Sequence, residues 1–518
     1  MTKTTSLERA EIALTSTMEE ERLATPDPET PFRLLVVGDF SGRGGRPPAE
    51  PAGLGFDRLP VRVDRDTVDE LLAERNVSLT LRLAGASRPE TTFRFRSVED
   101  FHPDRLLERT PAFGALHRTR EELQNPATFA DAAERVRSWA GAVAAAASAR
   151  PAPEPPAPAP ARGTSEDVVA ELLAGAKEKA SRLPEDVDRL VRGIVAAHSV
   201  PAEDPSVAGL TAVVDAMIGS WLRNALHHPS FQALEAAWRG LSWLVGRVET
   251  DSHLQLWLLD VSREELAADL RSRETLAASG WKKILVEQGA EAEDAEPWAA
   301  VGALYTFDRT VEDVALLARL ARVSADAGAP LFAAASPAVL GCPGFGIAPD
   351  PADWSPGGAD SPAAQVWAAL RELPAARWLG LAAPRFLLRL PFGKDTEPAE
   401  TVAFEEMPEG SRHEEYLWGH PALVCLALLA EAFADDGWKL RPGSASEVSG
   451  LPLHVDTDEA ERRIKPCAEA MLTPRAVERM LESGIMPLVS LSGRDAVRLA
   501  RFQSLASPPA PLSGRWAG

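Results

Sequence analysis

Apolar positions change their spacing along this chain, and the changes divide it. Phe32 to Val37 (FRLLVV) is a short apolar run closed by Gly38-Asp39, the pattern of a buried strand. VSLTLRL and TTFRFRS then alternate in period two, which predicts half-buried strands. VDRDTVDELLAE predicts a helix that Asp66 could cap, with Asp69 three positions on. Ser97-Val98-Glu99-Asp100 predicts another helix start. TREELQNPATFADAAERVRSWA reads as a helical hairpin.

Periodicity stops at AVAAAASARPAPEPPAPAPARGT, Ala142 to Thr164. Each proline there removes a donor and fixes φ, so the segment predicts an extended spacer of about 3.1 Å per residue. Beyond it a helical region leads into a new alternation. LQLWLLDV, VGALYTFD, PLFAAASP, RWLGLAAPRFLLRLPF and IMPLVSL read as buried strands, and helical patterns separate them. Ser262 with Glu265 has the spacing of a capping box, and Thr310 with Asp313 marks the next helix start. PALVCLALLAEAF is apolar nearly all round but short and carries Glu431, which predicts a core helix.

The expectation is an α/β fold with α+β elements. Residues 1–30 form a charged, partly helical start, and 31–141 a small mixed α/β body. Residues 142–164 are an Ala/Pro linker, 165–250 a helical region, and 251–518 a larger α/β body. Small and large bodies are expected as separate units on one tether.

Composition narrows the function. With 45% hydrophobic and 25% charged residues the chain is globular. A net charge of -21 argues against nucleic acid as partner, which needs a basic footprint. Cys342, Cys425 and Cys467 are odd in number and far apart, so they predict neither a disulfide framework nor a metal knot, and suit a reducing compartment. The charged N-terminus does not read as a signal peptide, and no run approaches the ~20 apolar residues of a membrane span.

No chemistry assembles from the motifs. GDFSGRGGRP follows a strand as a phosphate loop would, but Gly44 is followed by Gly45-Arg46, with neither the lysine nor the hydroxyl of a P-loop. Gly42, Gly44 and Gly45 do not complete a dinucleotide fingerprint, since Pro47 holds the last position. His227 and His228 are adjacent, about 100° apart on a helix, not the i, i+4 pair a helical metal site uses; Pro229 puts them at a helix entrance. Phe231, Leu234, Trp238, Leu241 and Val245 make one apolar stripe, with Glu235 and Arg239 pairing on its flank. Asp64/Asp66 and Glu405/Glu406 read as caps and solvated surface. No nucleophile elbow occurs. We nominate no catalytic, cofactor-binding or metal-ligating residue, and a bound small molecule is not expected.

The ordered motifs resemble a known family. LHHPSFQALEAAWRGLSWLVGRVET, LLDVSREEL, ALYTFDRTVEDVALLARLARVSADAGAPLFAAASP, RWLGLAAPRFLLRLPFG, FEE at Phe404–Glu406, EEYLWGHPA and GLPLH are similar to the large subunit of the type VI secretion contractile sheath. PFRLLVVGDFSG, VRVDRDTVDELL and FRSVEDFHPDRLLERTPAF resemble its small subunit. The chain therefore looks like a fusion of both.

The resemblance implies a non-enzymatic cytoplasmic protein that assembles with sheath subunits around a tube. Baseplate and a disassembly ATPase would be further partners. In the family, neighbours exchange strands, a β-augmentation that satisfies sheet edges. Contacts that do not close give an open helix. The large-subunit pattern reads as shortened at its C-terminus, and the N-terminus offers no β-rich arm. An accessory cap, assembly factor or regulator is the alternative to a polymerising protomer, and a ligand-binding or enzymatic α/β protein a more distant one. TSLERAEIALTSTMEEERLA or SEDVVAELLAGAKEKA is a candidate for the segment an unfolding ATPase would grasp, and neither matches the family's helix closely enough to assign residues to that role.

Overall fold

The computed structural model describes residues 25–43, 58–82, 90–148, 207–272, 276–287, 296–355, 361–408, 410, 412–458 and 461–516. The expected N-terminal helical segment, most of the Ala/Pro linker, residues 165–206 and both candidate ATPase segments lie outside the described residues.

A mixed sheet of nine strands organises the fold, in the order β11-β15-β14-β8-β7-β6-β1-β5-β2. Its parallel centre comprises β5 (Leu254–Asp260), β1 (Phe32–Gly38), β6 (Trp298–Phe307), β7 (Leu331–Ala335), β8 (Leu379–Ala383) and β14 (Ile485–Ser490). Antiparallel strands close both margins: β2 (Val61–Val63) on one side, β15 (Val497–Leu499) and β11 (Glu447–Val448) on the other. The small pairs β3 (Ser78–Arg82)/β4 (Glu90–Arg94), β9 (Phe386–Leu387)/β10 (Trp418–Gly419) and β12 (Val455–Asp458)/β13 (Glu461–Ile464) stand apart from it.

This topology corrects the expectation of two separate bodies. β1 belongs to the N-terminal segment, yet it lies between β5 and β6 of the C-terminal one. It pairs with β5 in unbroken register from Phe32↔Leu254 to Gly38↔Asp260. All seven of its residues are buried. Buried strands read as continuous apolar runs because both faces meet protein.

Two cores result. Phe32, Leu34 and Val36 point to one face and Leu35 and Val37 to the other, the period-two alternation of a strand. The first face packs on α1 (Val68–Glu74), α2 (Pro103–Arg109), α3 (Pro111–Gln124), α5 (Val207–Leu226), α6 (Pro229–Arg247) and α10 (Pro421–Asp436). The helix α4 (Phe129–Ser148) completes the hairpin with α3. The second face packs on α7 (Arg263–Ser272), α8 (Val311–Ala327), α9 (Pro362–Glu372) and α11 (Pro474–Glu482).

α10 is buried along nearly its whole length, with Glu431 at an exposed position. It approaches the sheet closely: a Cβ on Gly302 would sit 2.5 Å from Leu426 Cδ1, and one on Gly240 2.6 Å from Leu423 Cδ1. At both positions a Cβ would press on a leucine side chain of this helix, which would have to move.

Local signals read from sequence take their expected form at several helix starts. Ser262 and Glu265 exchange backbone donors as a capping box. Thr310 Oγ1 accepts from Asp313 N, and Ser97 with Asp100 forms a second box. At α1 the expectation needs correction. Thr67, not Asp66, is the N-cap residue. Asp64 shapes the entrance by accepting from the N–H groups of Asp66 and Thr67, while Asp69 accepts from Val98 N.

Candidate functional site at the seam of the two segments

The seam between the N-terminal and C-terminal segments holds a set of buried polar contacts. At one end, Asp260 closes β5 and is almost fully buried. Its carboxylate accepts from Phe40 N at 2.9 Å and Ser41 N at 3.2 Å, and pairs with Arg43 at 3.1 Å and Arg75 at 3.4 Å. Every one of those partners comes from the N-terminal segment. The loop once comparable to a phosphate cradle therefore aims its first amides at a carboxylate of the protein itself. Beside it, burial favours a neutral Glu265. Hydrogen bonds from Arg58 and Ser262 N, with the charge of Arg43, outweigh that and hold its carboxyl below the ordinary range.

Arg33 is the polar exception within β1. Its guanidinium lies between two indoles, 4.6 Å from the centroid of Trp257 and 4.0 Å from that of Trp298, and it donates to Glu296 O. A planar cation between aromatic faces keeps its charge in a dry setting.

Two indole N–H groups tie the segments further. Trp238 donates to Phe40 O and Trp438 to Thr30 O, each at 2.7 Å. Phe32 stacks on Phe433 with centroids 4.3 Å apart. Away from the sheet, Phe93, Phe95 and Phe101 each set an edge or face against Phe231 at 5.7–5.8 Å, and Phe113 meets Trp221 at 3.9 Å. Asp104 receives the N–H groups of Glu400 and Thr401, both at 2.9 Å.

Within the C-terminal segment lies a second, buried charge network. Arg389 donates to Glu235 at 2.8 Å and to Glu406 at 2.7 Å, Arg239 to Glu235 at 2.7 Å, and Phe392 N to Glu406 at 2.7 Å. Burial alone would raise the Glu406 carboxyl. The charge of Arg389 and the bonds from His227, Arg389 and Phe392 N overcome it and bring it to about 2. The same network keeps Arg389 firmly charged despite burial.

The expectation that Glu405/Glu406 lie on solvated surface is thus corrected for Glu406, which is buried, as is Glu235 on the flank of the α6 stripe. The i, i+4 pairing of Glu235 and Arg239 does form. What sequence reasoning missed is Arg389, 154 positions away, which turns a flank into an interior network.

The histidines of LHHP separate. His228 is the N-cap of α6, its Nδ1 accepting from Ser230 N at 3.2 Å. His227 faces Glu406 at 3.3 Å and Glu415 at 3.8 Å. The capping is general here. His102-Pro103 and His420-Pro421 repeat it, each imidazole Nδ1 accepting from the N–H two residues on at 3.3 Å. A proline at N1 lacks the donor a helix would waste, and the preceding histidine satisfies the next one. That His-Pro signal was present in the sequence three times. His420 is the most buried of the three, and burial lowers its pKa to about 4; it also contacts Tyr305 O.

A cavity of about 910 Å³ opens beside this network, bordered by Arg82, Glu90, Arg223, His227, Glu406 and Arg412 among others. It draws on both segments and carries charges of both signs. Among the described residues no group of three His, Cys, Asp or Glu side chains is placed to hold a metal ion. No helix among them is long and apolar enough to cross a membrane.

Comparison with known proteins accounts for this architecture. Residues 209–506 match the family model VipB, described as EvpB/VC_A0108, tail sheath N-terminal domain, over more than half of the chain. Residues 4–144 match the family model for type VI secretion system VipA, VC_A0107 or Hcp2. The chain belongs to the type VI secretion tail-sheath family and carries both of its subunit modules in one polypeptide. It is 33% identical over 350 residues to the type VI secretion system sheath protein TssC1 of Pseudomonas aeruginosa, covering 65% of this chain and 70% of that relative. The protein is accordingly a structural component of the type VI sheath class, and its seam is the small-to-large subunit contact made within one chain.

Proposed function

We propose that this chain is a self-contained sheath protomer that assembles with further sheath subunits in the cytoplasm, around or near the tube of a type VI secretion machine. One observation carries the reading. The small-subunit segment supplies an interior strand of the large-subunit sheet, between β5 and β6, so one polypeptide holds both halves of a one-to-one protomer. The linker fixes that ratio and holds the halves at an effective concentration on the order of mM. The protein acts without chemistry of its own: the buried charges of the seam face one another and serve to join segments. Tube, baseplate and a disassembly ATPase are the partners this role calls for.

Negative-stain electron microscopy of the purified chain, alone and with a tube protein from the same gene cluster, tests the reading. Tubes or stacked rings are expected. Uniform particles of one or two chains under both conditions would overturn it and favour an accessory role.

A further inference from the structure

A chain of three side chains lies wholly within the C-terminal segment, away from the seam. Lys465 Nζ is 3.2 Å from His413 Nδ1, and His413 Nε2 is 3.1 Å from the carboxylate of Glu469. An ammonium can only donate, so Nδ1 accepts and the ring proton stands on Nε2, against Glu469. The carboxylate is itself fixed. Arg385 donates to it from its backbone N at 3.1 Å and from its guanidinium at 3.1 and 2.5 Å, and Glu469 N returns a bond to Arg385 O at 2.9 Å. His413 is held from two further sides. Trp418 Nε1 donates to its carbonyl at 3.0 Å, and its ring lies so close to Gly346 that a Cβ there would sit 2.4 Å away. A nucleophile, a base and an orienting acid within hydrogen-bond reach is the arrangement that activates a weak nucleophile.

The setting of the amine suits that role. Lys465 follows β13 directly and keeps part of its surface in solvent, so a small reagent can reach it. Its Nζ sits over the rings of Tyr416 and Trp418 at 5.0 and 5.5 Å, and the Tyr416 hydroxyl is already engaged by His454 Nδ1 at 2.7 Å. Burial lowers the pKa of Lys465 from the ordinary 10.5, against the charges of Glu469 and Glu414, which act to raise it. More of it is therefore free amine near neutrality than on an exposed lysine.

We propose that Lys465 is a modification site: its amine takes a small activated acyl group, from an acyl phosphate or an acyl thioester, with His413 as the base. Nζ attacks the carbonyl carbon and a C–N bond forms. The C–O bond to phosphate, or the C–S bond of the thioester, breaks, and the leaving group departs with the electron pair. The proton lost by the amine passes to His413 Nδ1 and from there to the leaving group or to water. The product is a neutral amide, which removes the charge held over the two rings. One acyl group is taken per chain, and nothing turns over.

Acetyl phosphate and the acetyl thioester of N-acetylcysteamine, each added to the purified full chain near neutral pH, test the site. Acetylation of Lys465 is followed by peptide mass spectrometry against Lys394, whose side chain is 78% exposed. Lys465 should react about tenfold faster than Lys394 with at least one donor, and the donor that succeeds identifies the source. The advantage should vanish in concentrated urea, where the three side chains separate, and in His413→Gln, whose fold is checked by circular dichroism. Lys465 reacting no faster than Lys394 with either donor would overturn the proposal, and that comparison needs no variant. An advantage that persists in urea or in folded His413→Gln would overturn it too, because the arrangement would not be its source.

Discussion

The N-terminal segment contributes two strands to one sheet, and they behave as opposites. β1 has seven residues, all buried, with a parallel partner on each side. β2 has three residues, two of them exposed, and among the described residues it pairs with β5 alone, at the margin. The first cannot be removed without separating β5 from β6. The second leaves a row of backbone groups facing outward, which is how a sheet edge offers itself to a further strand. The difference separates what holds the fold from what borders it: the interior of the sheet is completed within the chain, while β2 lies at its margin.

The sharpest way to break the central side of that contrast is to open its charge network. Arg389→Met leaves Glu235 buried with Arg239 beside it, and Glu406 buried with only His227 and Phe392 N. The loss should be about 3–5 kcal/mol in thermal or denaturant unfolding. A change under about 1 kcal/mol would mean that the network is not dry.

Acid should act on the same residues. The folded pKa values of Glu406 and Glu469 are about 2, below the ordinary 4.5. The unfolded chain therefore binds more protons between those values, and stability present above pH 4.5 is lost as pH falls toward 2. His420, neutral when buried, has its pKa lowered from 6.5 to about 4, so its share is lost over that higher window. Unfolding midpoints measured from pH 7 to 2 should decline in both windows. Glu406→Gln should flatten the lower one, and an unaltered slope there would remove Glu406 from this account.

Packing under α10 gives the next effect. Gly302→Ala puts a Cβ against Leu426 and should cost about 1–3 kcal/mol. Gly114→Ala, where nothing lies within 4 Å, is the matched control and should be nearly neutral. Equal melting temperatures for the two variants would show that the helix can shift.

The seam's single hydrogen bonds should register less. Trp238→Phe removes the N–H that meets Phe40 O and should destabilise by about 1 kcal/mol, read as a small shift in chemical unfolding. Smallest of all is Lys465→Met in the cluster around His413, expected within about 0.5–1 kcal/mol of wild type in stability. A large stability loss there would mean that the cluster belongs to folding after all.

Much of the fold is legible in local pattern. FRLLVV, LQLWLLDV and PLFAAASP could be recognised as strands because their apolar runs are short and bounded, and Ser262/Glu265 as a helix start because capping is a contact across three residues. Asp66 was misplaced as a cap by one residue because Asp64, Asp66 and Thr67 all carry capping oxygens and only the turn geometry chooses among them. Glu406 was read as surface because adjacent acids usually are; its burial depends on Arg389, which local spacing cannot bring near.

The sequence by itself determined which of the described segments are strands and helices, and through ordered motifs which family the chain resembles. Only the tertiary structure decided that β1 stands between β5 and β6, so that two segments form one sheet. It also decided which charges are buried together. The physical reason is range. Periodicity, capping and turn chemistry act over a few residues, whereas strand order and the pairing of buried charges join groups more than a hundred residues apart. Those are settled when the apolar faces of distant elements meet.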